Sequence, residues 1–113
     1  MSTNLQMTRN ESIEKAVDVL NSKLFVALQE PARLSILKEV IKLGTADIGQ
    51  ISSHLPQERS VISRHLKVLH EAEILSLERV GRHHFYSVNG TFLIQEFEQI
   101  LNSIKQIQHI CCK

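Results

Sequence analysis

No stretch of this 113-residue chain approaches the ~20 consecutive apolar residues of a membrane span, so no membrane-spanning helix is expected. Its opening segment, MSTNLQMTRNESIEK, lacks the hydrophobic core of a secretory signal, and a cytoplasmic protein is expected. Only four glycines are present, and none gathers with others into a loop that could cradle a phosphate. Neither a metal triad nor a nucleophile on a recognised turn stands out, so no enzyme is expected. With two prolines, no internal repeat and no low-complexity linker, residues 1–113 read as one domain. A domain of that size has a modest core, and burying further surface in a dimer would stabilise it. Two cysteines are too few for a disulfide scaffold and are expected to be reduced in the cytoplasm. Charge of one sign is also missing, and the net value of +1 argues neither for nor against nucleic acid.

What is present is an uneven distribution of that charge. Between positions 59 and 84 stand five Lys or Arg against three Glu, with His65, His70, His83 and His84 able to add positive charge when protonated. Here Ile62, Leu66 and Leu69 recur at helical spacing, which predicts a buried stripe. Arg59, Ser60, Ser63, Arg64 and Lys67 then fall on other faces of the same helix. Short hydroxyls let a helix approach a DNA groove, Arg can donate two parallel hydrogen bonds to guanine, and Lys or Ser can hold a phosphate. Taken alone, this pattern equally describes a solvated helix face. The continuation distinguishes them: two β-prone runs, Ile74, Leu75, Leu77 and then Phe85, Tyr86, Val88, flank Val80-Gly81-Arg82. Gly81 supplies the positive φ of a tight hairpin, with Arg79 and Arg82 beside it in reach of phosphates or a minor groove. His83 and His84 point to opposite sides of a strand and cannot converge on one ion, so phosphate or solvent is their expected contact. His65 borders the apolar face and reads as a packing residue. A helix followed by a basic hairpin is the reading half of a winged helix-turn-helix, and DNA binding is the expected function.

Three motifs in order, L-x-x-P-x-R-L-x-I-L at residues 28–37, S-x-x-S-R-H-L-x-x-L-x-x-A at 60–72 and G-R-x-x-x-Y at 81–86, resemble the ArsR/SmtB family of small winged-helix repressors. The resemblance runs over about residues 25–88. It implies a homodimer that occupies an inverted-repeat operator in double-stranded DNA until an inducer, often a metal ion, metalloid or redox signal, lowers its affinity. The expected fold is mainly α with a small antiparallel β-hairpin: five helices plus a wing, dimerised through the terminal helices. A flexible tail is expected at 1–9, dimerisation helices at 10–28 and 92–112, the helix-turn-helix at 46–71 and the wing at 75–88.

Local signals place the remaining elements. Ile13, Val17, Leu20 and Leu24 mark a first helix with Asn10 or Ser12 as cap. Pro31 opens a second that Gly44 closes, and Thr45 is the expected cap of a third with its body at 46–55, stopped by Pro56. Pro56-Gln57-Glu58 offers no Ser or Thr cap to the recognition helix. Glu73 stands where the family often has Gly after Ala, so a left-handed turn there would be strained. At the C-terminal end Leu93, Phe97, Ile100, Ile104, Ile107 and Cys111 follow a 4-3-4-3-4 seam matched by the first helix. Such seams want another helix, in the same domain or in a second copy. Two-fold pairing would set two recognition helices about one DNA turn apart.

The input signal is less legible. Family members with a C-x-C metal site near the third helix would carry it at Asp47 and Gly49, and those with a carboxylate–histidine site on the last helix would carry it at Gly90, Phe92, Ser103 and Gln106. The cysteine pair of the first site is absent, and none of the four residues at the second is a good first-row metal ligand. No resident cofactor is expected. What remains is Cys111-Cys112, whose soft thiolates suit trivalent arsenic, antimony or mercury. Arsenite takes three sulfurs whereas a monomethylated trivalent arsenical has two open positions, and the family includes arsenic-responsive members with a similar vicinal pair. Other readings stay open: a redox switch, a mixed zinc set with His109, or Cys111 as a seam residue with another inducer or none. A winged helix used for protein contacts is the alternative output.

Overall fold

The computed structural model describes the backbone of residues 8–111 and the side chains of residues 8–109. Cys112, most of the expected 1–9 tail and the Cys111 side chain lie outside the described residues. Helix α1 spans Arg9–Leu20. It begins with reciprocal bonds: the Thr8 hydroxyl accepts from the Glu11 N–H and Glu11 Oε1 accepts from the Thr8 N–H, both at 3.1 Å. Hydrogen bonding to the Thr8 side chain, and then to its backbone, holds the exposed Glu11 carboxyl below its ordinary value. Thr8 and Arg9 therefore belong to the helix start rather than to a tail.

The helix expected over 10–28 is two helices. Ser22 Oγ accepts from the Phe25 N–H at 3.4 Å and starts α2, Lys23–Leu28. A serine in that role favours a cap over continuation of the first helix. The break turns Leu24 and Ala27 into the core, at 2% and 1% exposure. Arg33 then fastens α2 to α3, Pro31–Leu43: its Nε donates to Ala27 O at 2.8 Å, and its Nη2 donates at 3.4 Å to Val26 O, which also accepts from the Gln29 N–H. Pro31 stands at the start of α3, and Gly44 with φ +80° closes it, as expected.

Beyond Gly44 the structure departs from the expected third helix. Thr45–Ala46 form a short strand, β1, and Asp47 rather than Thr45 caps a short α4, Ile48–Ser52. Ladder pairing with a neighbouring strand claims the two residues that would have opened the helix. The order continues with α5, Arg59–Glu71; β2, Leu75–Val80; β3, His83–Val88; and α6, Gly90–Cys111. Among the described residues there are thus six helices instead of five, and a three-stranded antiparallel sheet, β1-β3-β2, instead of a bare hairpin. Thr45 pairs with Ser87 and Ala46 with Tyr86, while Val80 opposite His83 fixes the hairpin register.

Ile36 and Val40 of α3, Ile51 of α4, Ile62, Leu66 and Leu69 of α5, and Ile74 are fully buried together. Each such side chain contributes about 1.5–3 kcal/mol relative to exposure. The terminal helices α1 and α6 pack on one another and project from this core. The long dimension is 54 Å against 26 and 19 Å, and the radius of gyration of 17.8 Å exceeds the ~13 Å of a compact chain this long. No helix among the described residues is long and apolar enough to cross a membrane.

Candidate nucleic-acid interface

Helix α5 divides along its length. Ile62, Leu66 and Leu69 are wholly buried, whereas Arg59, Ser60, Ser63, Arg64 and Lys67 are all exposed. His65 is half-buried between the two faces. Glu58 stands at the N-cap position with no side-chain bond to the first turn, and only its carbonyl serves there, accepting from the Val61 and Ile62 N–H groups at 3.0 Å. The other end is closed more tightly: the Glu73 N–H bonds His70 O at 2.9 Å and the Ile74 N–H bonds Leu69 O at 3.0 Å. That pair of bonds is a Schellman closure, with buried Ile74 against buried Leu69 as its apolar contact. It requires a left-handed residue, and Glu73 provides it at φ +66°.

The closure throws the chain into the hairpin. Gly81 has φ +61° and Arg82 does not share the positive φ, which makes the two-residue loop a II′-like turn. Arg79, Arg82 and His83 are exposed on the hairpin. Arg79 lies opposite His84 in the ladder. Burial pushes the Tyr86 phenol above its usual value, and the Arg79 charge pulls the other way.

An open cleft of about 230 Å³ joins these elements. Arg59 and Ser63 of α5, Arg82 and His83 of the hairpin, and Asp47 at the head of α4 line it. Four of the eight expected DNA-contacting residues therefore share one concave site between helix and wing. Ser60, Arg64 and Lys67 continue outward along the exposed face of α5, and Arg79 lies one ladder step further along the hairpin. The sequence pattern did not anticipate Asp47 or Tyr86 as cleft residues, and His84, expected on the opposite side of the strand from His83, lines the same cleft. Their placement depends on β1 pairing with β3, and a two-residue strand carries no periodicity to reveal it.

A second surface lies on the terminal helices. Leu93 and Ile100 pack towards the core, but Phe97 and Ile104 of the same seam are 46% and 54% exposed. Val17, Leu20, Ile94 and Leu101 are similarly open. Between α1 and α6 runs an apolar groove of about 330 Å³ lined by Val17, Leu20, Ile100, Ser103, Ile104 and Ile107, among others. The seam thus splits, with one edge holding the chain together and the other facing outward. Among the described residues no three His, Cys, Asp or Glu side chains gather as a metal site.

Comparison with known proteins places this arrangement. The family model described as "Bacterial regulatory protein, arsR family" matches residues 30–76, from the start of α3 to β2. The transcriptional repressor SdpR of Bacillus subtilis (strain 168) is 34% identical over 85 residues, covering 75% of this chain and 93% of that protein. The arsenical resistance operon repressor of Staphylococcus xylosus is 28% identical over 87 residues, covering 75% and 83%. Among solved structures, an ArsR-like transcriptional regulator from Rhodococcus sp. RHA1 superposes with a TM-score of 0.64 at 23% identity, over 79% of this chain and 90% of that one.

Proposed function

The chain belongs to the ArsR family of winged helix-turn-helix transcriptional repressors, and on that premise we propose that it occupies an inverted-repeat operator as a homodimer and leaves it when an inducer binds. The observation that carries the DNA reading is the shared cleft, which supports α5 and the wing acting as one surface. Ser60, Ser63, Arg64 and Lys67 enter the major groove, with Arg64 reading guanine and Lys67 holding phosphate. Arg59, Arg79, Arg82 and His83 contact the flanking backbone. The exposed apolar edge of α1 and α6 supports a two-fold dimer, because a single chain leaves six large apolar side chains there in water.

The inducer proposed is a trivalent, thiophilic species held by Cys111 and Cys112, with a methylated trivalent arsenical the best match to two thiols. Support comes from the soft chemistry of the pair and from the similarity to an arsenical resistance operon repressor. Cys111 is the last described residue of α6, the helix offered to the dimer, and Cys112 follows it in sequence, so a bound ion would act on the angle between the two reading heads. Oxidation of the same thiols is the second reading. The test uses a duplex selected by the wild-type protein from a random-sequence pool. The complex is titrated with arsenite, methylarsenite, antimonite, mercury, zinc and peroxide, for wild type and for Cys111→Ser/Cys112→Ser. Release of wild type alone by a thiophilic agent is expected, release by peroxide alone selects the redox reading, and equal release of both proteins would overturn either.

A further inference from the structure

The cleft between α4, α5 and the wing holds one charge of the wrong sign for DNA. Asp47 Oδ2 lies 3.9 Å from His83 Nδ1, with the Asp47 side chain about a quarter exposed. Its other oxygen is committed: Oδ1 accepts from the Gln50 N–H at 2.8 Å, and Gln50 Oε1 accepts in return from the Asp47 N–H at 2.9 Å. The carboxylate therefore cannot swing away from an approaching phosphate without opening the cap of α4. Every other ionisable group on the cleft wall is cationic or becomes so, apart from the Tyr86 phenol: Arg59 from α5, and Arg82, His83 and His84 from the hairpin. Arg79 follows along the hairpin opposite His84.

We propose that Asp47 limits the affinity of the DNA interface: its carboxylate, fixed on the wall of the cleft, opposes phosphate entry between Arg59 and Arg82. The inference rests on the reading of α5 and the wing as the DNA surface. A unit charge ~6 Å from a phosphate in a water-like medium alters binding by about threefold per chain.

The test is fluorescence anisotropy on the selected duplex at fixed salt and pH, with wild type and Asp47→Asn. Asn caps a helix as well as Asp does, so Asp47→Asn removes charge and keeps α4. It is expected to tighten binding about threefold per chain. An Asp47→Asn protein with wild-type melting and unchanged or weaker binding would overturn the proposal. Lys67→Ala separates the two levels. If it weakens binding while Asp47→Asn does not tighten it, only the role of Asp47 falls; if it leaves binding unchanged, the α5 surface falls too.

Discussion

Glu73 holds φ +66° so that the end of α5 can close on Leu69 and His70, a conformation that costs an L-residue about 1–2 kcal/mol. Glycine there relieves the strain and gives back part of it through the freer unfolded chain. The Glu73→Gly protein is expected to melt about 2–4 °C higher. A lower melting temperature by differential scanning calorimetry would show that the Glu73 side chain contributes more than its backbone loses. Arg33 makes the opposite case. Its two nitrogens donate to carbonyls at the end of α2 from a position in α3, and Arg33→Ala is expected to cost about 1–2 kcal/mol in urea unfolding. Lysine should not rescue it, since one ammonium cannot reproduce the forked contact. Both residues stood in the sequence as motif positions. The Glu73 strain could be read there, because left-handed turn ends favour glycine. The Arg33 bonds could not, because they depend on how α2 turns against α3.

At the level of elements, α5 and the wing were legible from local pattern: the 4-3 spacing of Ile62, Leu66 and Leu69 maps directly onto buried positions, and the two β-prone runs around Gly81 pair as the hairpin. Elements without such a pattern were not. Val17, Leu20 and Leu24 continue one helical seam across Asn21-Ser22, so nothing in their spacing shows that Leu24 belongs to a second helix in the core. Thr45–Ala46 is too short to alternate, and it displaced the expected helix start by two residues to Asp47. A five-residue helix has little stability of its own, and α4 depends on its cap and on packing against α5. Asp47→Ala is expected to lose about 1 kcal/mol while Asp47→Asn stays close to wild type. Equal melting of all three proteins would show that packing alone holds α4.

For the whole molecule, the elongated shape and the outward edge of α1 and α6 make a second copy the natural cover. Leu20→Asp combined with Ile104→Asp places charge in that edge without touching the core, and sedimentation velocity should then show a monomer where wild type sediments as a dimer. An unchanged dimer would move the interface elsewhere. Loss of the dimer should also weaken DNA binding, since two linked reading heads gain from one another's attachment. The central claim, that the exposed stripe of α5 reads DNA sequence, is tested most directly by competing the selected duplex against a scrambled one for wild type and Arg64→Ala at a single salt concentration. The expected result is a strong preference in wild type that falls by about 1–3 kcal/mol per chain in Arg64→Ala. An equal preference in both proteins would contradict it.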